Sequence, residues 1–441
     1  MEAEIWVALM FAGVFVGILA GAPIAFVLGG LAIIFGYFGM GERVFPMFVN
    51  RMWRTSINEL LVAIPMFVFM AALLDRSGIA EGLFKALQYA FSRLNGAIAL
   101  TVVLLSTVFA ATTGVVGASV ISMSLMALPV MLRYGYDKKL ATGVVASGGT
   151  LGIIIPPSIM LVIMADQSGE SVGRLFAGAL LPGLLLSVLY FLYVLIRTWL
   201  QPQLAPALSE EERNRYSTWQ IVGMIMVNMV PPVLLIFGVL GSIWAGIATP
   251  TEASGIGAFL ALLLMIFYRR FNWKAIKESV WGATRTSCMV VMVMVGAALF
   301  TQVFLGLGGR EAVTNLITSV DFLGKWGMFA VMMLMVFLLG FLLDWVGIVM
   351  ITFPVFLPLA KMLGFDPVWL IIMIAINLQA SFLTPPVGYT LFYMRSTAPP
   401  GVTMLDIYKG VVPFLALQVL AILTLAAFPE LITWLPSLVA R

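Results

Sequence analysis

The chain has 441 residues, of which 62% are apolar and only 10% charged, whereas a soluble globular domain carries roughly 25% charged residues. A soluble enzyme is thereby excluded, and at about 20 apolar residues per span there is room for roughly eleven or twelve membrane helices but no large soluble domain. The net charge of +4 is small and its basic residues stand beside apolar runs, which points to lipid headgroups and not to nucleic acid.

Residues 328–343 are continuously apolar and 102–109 are interrupted only by Ser106-Thr107; both lack the alternation of a transmembrane β-barrel, so an all-α polytopic membrane protein is expected. Glu2 and Glu4 stand where a signal peptide wants positive charge, and Pro23 follows the small-residue site 20–22. The first helix is therefore expected to stay in the mature chain. The single Cys288 offers no intrachain disulfide and no redox pair.

In chain order, residues 5–38 form one long span or a pair broken at Gly21-Ala22-Pro23, and 57–74 form a second element. An amphipathic stretch at 80–93 follows, then apolar segments at about 97–132, 140–165 and 175–199. Residues 201–219 are the most polar part of the chain, with Pro202, Pro206 and Glu210-Glu211-Glu212-Arg213, and read as a surface linker.

The linker sits near mid-chain, and unusual residues recur across it in one register. An offset of 229 relates Pro129 to Pro358, Gly135 to Gly364, Asp137 to Asp366, and Pro156-Pro157 to Pro385-Pro386. Two repeats, 1–200 and 220–441, are the simplest account. The basic cluster Arg269, Arg270, Lys274 and Lys277 outweighs its counterpart Arg43, Arg51 and Arg54, which suits inverted orientation. Each cluster carries Trp (Trp53; Trp273 and Trp281), so stretches near 43–56 and 270–286 are expected to be amphipathic arms along the membrane surface.

In each half a segment of small residues leads to Pro, a Gly-x-Asp turn and a second segment broken by Pro-Pro. These are 110–132 and about 140–165 in the first half, and 342–363 and about 367–394 in the second. Proline frees carbonyls one turn earlier and glycine tolerates the irregular angles of an opening, so each half is expected to hold a re-entrant hairpin and an unwound helix. Paired breaks of this kind mark transport sites. Freed carbonyls with the hydroxyls of Thr112, Thr113, Ser119, Thr150, Ser381 and Thr384 are oxygen ligands suited to Na⁺, while half-helix N-termini suit an anion. The alternative is that the prolines are kinks and the small residues close-packing positions.

Two carboxylates stand in apolar runs. Asp344 opens the second hairpin and reads as functional; Glu252, after Pro250, suits a helix cap as well as a site. Arg54 and Arg285, each in an Arg-Thr-Ser triplet, pair with such carboxylates or snorkel to headgroups. The chain has no His, so a long proton relay has little material. No nucleotide-binding G-x-x-x-x-G-K-[ST] loop occurs, so no ATP hydrolysis by this chain is expected. The 28 Met read as packing residues.

The segments GASVISMSLMALPVMLRYGYDKKLATGVVASGGTLGIIIPPS, ATPTEASG and LDW, with NLQASFLTPPVGYTLFYMRSTAPPGV, resemble the large membrane subunit of tripartite ATP-independent periplasmic (TRAP) transporters over essentially the whole chain. The resemblance implies an elevator-type secondary transporter of the ion transporter superfamily, driven by a Na⁺ gradient. It also implies two partners: a small membrane subunit of about four helices and a periplasmic binding protein that delivers an organic acid.

Carried over by motif, one Na⁺ site lies between Thr113, Gly114, Gly117 and Ser119 and Gly149, Thr150, Gly152 and Pro156. The second lies between Asp344 to Gly347 and Gln379, Ser381, Thr384 and Pro385. Substrate then sits between the hairpin tips, near Thr112, Thr113, Ser119, Pro157, Ser158, Thr384 and Pro386. Many members carry a carboxylate soon after the LDW motif, where this chain has Val346-Gly347-Ile348.

The expectation is therefore an inner-membrane, sodium-coupled permease subunit without covalent chemistry. A self-sufficient sodium and anion symporter is the near alternative. A proton-conducting or structural subunit of a membrane complex would need intramembrane Lys, His and Glu in series, and an intramembrane hydrolase would need a histidine or a metal-ligand pair.

Overall fold

The computed structural model describes residues 3–113, 116–318, 324–341 and 343–439, with the side chains of residue 3, 110–113 and 316–318 left out. Its regular structure is helical, with no strand among the described residues. The first half runs α1 (Ala3–Leu19), α2 (Ile24–Met40), α3 (Val44–Ser56), α4 (Ala63–Arg76), α5 (Ile79–Ala90), α6 (Ala97–Thr113), α7 (Val116–Arg133), α8 (Lys138–Thr150), α9 (Ile159–Ser168) and α10 (Val172–Leu200). After the short α11 (Glu210–Arg213), the second half runs α12 (Thr218–Trp244), α13 (Pro250–Phe267), α14 (Trp273–Gly306), α15 (Gly309–Thr318), α16 (Gly324–Leu339), α17 (Trp345–Met362), α18 (Pro367–Leu383), α19 (Tyr389–Thr397), α20 (Met404–Ala427) and α21 (Glu430–Leu438).

Among the described residues eight helical stretches are long and apolar enough to cross a membrane, or nine if α4 and α5, bent by 56°, count as one. The room for eleven or twelve spans is instead partly filled by short apolar helices, including Ile159–Ser168, Gly324–Leu339 and Pro367–Leu383. At 1.5 Å per residue these fall short of a bilayer of about 30 Å.

The two halves repeat one order of elements, and the chain turns show why. Every left-handed backbone residue described in the first half has a counterpart in the second: Gly21 and Gly246, Gly41 and Arg269, Gly78 and Gly308, Gly96 and Gly324, Gly135 and Gly364, Gly169 and Gly401. Helices stop at such residues because only glycine adopts that geometry without a Cβ penalty, and Arg269 is the one exception. In the Gly-x-Asp turns the glycine ends α7 or α17, and the aspartate caps the next helix. Asp137 Oδ1 accepts from the amides of Lys139 and Leu140 at 3.0 Å, and Asp366 Oδ1 from that of Trp369 at 2.9 Å.

One difference stands between the halves. The 270–286 stretch is the beginning of α14, a continuous helix of 34 residues, whereas its counterpart α3 is cut from α4. The cut is made at Asn58, whose side chain accepts from Leu60 N at 3.0 Å and donates to Asp166 Oδ1 at 2.6 Å. Cys288-Met289 follows the second Arg-Thr-Ser triplet where Ile57-Asn58 follows the first, so α14 has no such cap and runs on.

The halves interlock. α2 packs on α14 and α4 on α13, while α8 packs on α20 and α10 on α18. Backbones touch where α8 crosses α20: a Cβ on Gly143 would lie 2.2 Å from the Gly410 carbonyl oxygen. The polar segment 201–219 is docked and not loose. Its Leu204 and Ala205 carbonyls accept from the amides of Asp137 and Gly96 at 2.8 and 2.9 Å, and Glu212 accepts from the Tyr134 hydroxyl at 2.7 Å.

Candidate functional site

α6 packs on α7 as one helical hairpin and α16 on α17 as the other, so the expected segments 110–132 and 342–363 hold the second legs, while residues 114, 115 and 342 lie outside the described residues. Behind each hairpin lies a broken helix. α8 passes into a 3-10 turn (Leu151–Ile153) and irregular chain before α9; α18 ends at Leu383 and α19 begins at Tyr389. The Pro156–Pro157 and Pro385–Pro386 bonds are cis. Contacts cross between halves here too, with α7 against α19 and α17 against α9.

A cavity of about 530 Å³ lies where these parts meet. The first residue of each of four helices lines it: Ile24 of α2, Ile159 of α9, Trp345 of α17 and Tyr389 of α19, with Val116 and Gly117 of α7 beside them. A helix N-terminus carries roughly half a positive charge and free N–H groups, so four meeting at one cavity favour an anion. Ile153 and Phe382, from the carbonyl ends of the preceding segments, line it as well, and carbonyl ends favour a cation. Asp344 is the one charged side chain among the described lining residues, with Thr286, Tyr389 and Tyr393 as further polar groups.

The residues singled out from sequence divide between this cavity and the structure around it. Gly117 lines the cavity, and a Cβ there would lie 3.1 Å from the Tyr393 ring. Asp344 caps α17, accepting from Val346 N at 3.4 Å. Ser119 is buried on α7, and Gly149 admits Val120 so closely that a Cβ would meet that residue's Cα at 3.0 Å. Gly152, Pro156 and Pro157 are buried in the first break. Ser158 is also buried and closes that break, its Oγ donating to Ile153 O at 2.6 Å.

In the second break Thr384 Oγ1 donates to Ala380 O at 2.8 Å and Ser381 Oγ to Phe337 O at 2.9 Å. Donating hydroxyls keep lone pairs for a cation. Pro385 is half-buried and Pro386 exposed. Gly347 faces α2, with Leu28 as its nearest neighbour. Gln379 Nε2 donates to Thr150 Oγ1 at 3.1 Å. The side chains of Thr112 and Thr113, and all of Gly114, lie outside the described residues.

Glu252 takes the capping role: its carboxylate accepts from Thr249 N at 2.8 Å, and its amide donates to Thr249 Oγ1 at 3.2 Å. Arg54 and Arg285 are exposed. Sequence reasoning missed the far wall of the cavity, made by Ala22 and Pro23 before α2, by Ile24 to Phe26 at the start of α2 and by Thr286, Met289, Val290 and Val293 of α14. It also missed Tyr389 and Tyr393. The signal for the tyrosines was their i, i+4 spacing just after Pro-Pro, which puts both on one helix face.

Comparison with known proteins shows the family and the fold. Residues 11–431 match the family described as tripartite ATP-independent periplasmic transporter, DctM component. The C4-dicarboxylate TRAP transporter large permease protein DctM of Pseudomonas aeruginosa is 28% identical over 393 residues, covering 88% of each chain. The isethionate TRAP transporter permease protein DctMQ of Oleidesulfovibrio alaskensis is 28% identical over 422 residues, covering 94% of this chain and 64% of its own. The solved structure of the Alcanivorax borkumensis YdaH transporter shares the fold, with a TM-score of 0.60 at 14% identity over 94% of this chain and 98% of that one. The chain thus belongs to the DctM-component family of tripartite ATP-independent periplasmic transporters and is a multi-pass permease of the inner membrane.

Proposed function

We propose that this chain carries out sodium-coupled uptake of a small organic acid anion, working with a small membrane subunit and a periplasmic binding protein. The observation that carries this reading is the convergence of four helix N-termini on one cavity beside the described starts of α7 and α17. Backbone N–H groups there take the carboxylate. No Lys or Arg is among the described lining residues, so the remaining compensation comes from Na⁺ held at the carbonyl ends of the breaks.

One cation sits among the carbonyls of 149–156 and the first hairpin tip, with Ser119 and Thr150 nearby. The other sits among those of 379–385 and Asp344, with Ser381 and Thr384. The relatives' names include a C4-dicarboxylate and isethionate, and the common chemistry taken for this chain is a small organic anion. The fused name DctMQ fits a small subunit packed beside this one.

The two repeats are inverted, with α6–α9 and α16–α19 forming a transport body of two re-entrant hairpins and α2–α4, α13 and α14 a scaffold. The body moves as an elevator past the α1–α2 and α14 wall, and cation binding biases which face is open.

Reconstitution with the small subunit and binding protein, under imposed Na⁺ or H⁺ gradients, tests the proposal. Uptake that needs Na⁺ and the binding protein is the expected result. Uptake following the proton gradient alone overturns the sodium sites, and uptake by this chain alone overturns the three-part reading.

A further inference from the structure

The Gln379–Thr150 hydrogen bond joins residues 229 apart, the same offset that relates Pro156 to Pro385. It therefore links a position to its own counterpart in the other repeat, which happens only on the axis relating two equivalent units. Both side chains are 0% exposed. Thr150 ends α8 where the first break begins, and Gln379 lies one turn before the end of α18 and the second break.

The bond belongs to a directed chain: Gln379 Nε2 donates to Thr150 Oγ1, which donates to Ser147 O at 2.8 Å. Gln379 Oε1 is buried without a partner, so Thr150 is the one polar group described as holding this amide. A shift of either helix end strains or breaks the bond, and a broken bond leaves a buried amide unsatisfied.

We propose that this contact couples the two breaks, so that sodium binds cooperatively, with Gln379 a positioning residue acting through Thr150. The inference rests on the sodium sites proposed above. A cation at the first break fixes the carbonyl end of α8 and with it Thr150; Thr150 then fixes Gln379 and the turn that leads to Thr384. Both sites bias one shared element, which is the physical requirement for coupling.

The test is the Na⁺ dependence of uptake in proteoliposomes holding the complete three-part system, for wild type, T150S, T150V, Q379L and the double variant T150V/Q379L. Wild type and T150S, which keeps the hydroxyl, are expected to give a Hill coefficient of about 2, and T150V and Q379L one of about 1. In those two variants half-saturating Na⁺ rises about fivefold. A merely structural role would lower the amount of folded transporter and its rate and leave the Hill coefficient alone.

The double variant removes both polar groups and leaves no amide unpaired, so it decides the matter if either single variant misfolds. Retention of the wild-type coefficient in the folded variants overturns the coupling. So does sodium-dependent uptake with a wild-type coefficient of 1. Uptake without any sodium dependence in wild type overturns the sodium sites and the coupling together.

Discussion

The two Pro-Pro breaks share a sequence motif and a place in the repeat, yet they sit in different surroundings. From Gly149 to Ser158 the first break is wholly buried, closed by the Ser158 to Ile153 bond, and α9 beyond it is buried from Ile159 to Ala165. The second break opens to its surroundings at Pro386 and Val387, the latter 38% exposed. α19 beyond it shows Phe392 and Tyr393 at the surface. A repeated pair of motifs need not be surrounded alike: the first break is held as core, and the second is open at Pro386 and Val387. Apart from Thr150, whose bond reaches Gln379 in the other half, substitutions in the first should therefore act through stability, and those in the second through transport.

The largest effect is expected at Gly149. A Cβ there already meets Val120 backbone atoms at 3.0–3.1 Å, so Gly149→Val overpacks the α7–α8 contact by about 3 kcal/mol and abolishes folded protein in detergent gel filtration. Asp344→Asn keeps a capping side chain for α17 but removes the charge. Transport should fall about tenfold, the scale of a hydrogen bond to a charged group of about 1.5–3 kcal/mol, with the melting temperature unchanged.

Ser158→Ala and Thr384→Val form the matched pair. Loss of the buried bond to Ile153 costs about 1–2 kcal/mol, read as a lower melting temperature. Thr384→Val instead leaves melting near wild type and raises half-saturating Na⁺. The reverse pattern would break the comparison. Tyr408→Phe loses the 3.2 Å bond to Pro386 O at an exposed position, and a change in uptake of about twofold or less is expected, in line with a surface bond worth about 0.5 kcal/mol.

Much of this was legible along the chain because it is local. Pro156 and Pro385, Gly135 and Gly364, and Asp137 and Asp366 act within a few residues of where they stand, as breaks, helix stops and caps. What was not legible depends on segments brought together from afar. Nothing near Thr150 announces Gln379 as its partner, and nothing near Pro23 or Thr286 announces the wall of the cavity. The 201–219 segment reads as a surface linker by composition, and that reading does not foretell that its Leu204 and Ala205 carbonyls are taken by Asp137 and Gly96. Asn58 cuts α3 from α4 through an aspartate 108 residues away.

The most direct measurement is thiol labelling at the two breaks. With Cys288, exposed on α14, replaced by serine, Val387→Cys and Ile155→Cys are each labelled with and without Na⁺ and a transported anion. Val387→Cys is expected to react readily without ligands and at least about tenfold more slowly with them, while Ile155→Cys stays unreactive in both conditions. Equal labelling at position 387 with and without Na⁺, or labelling at 155 that tracks the ligands instead, would contradict a fixed first break and a sodium-organised second one.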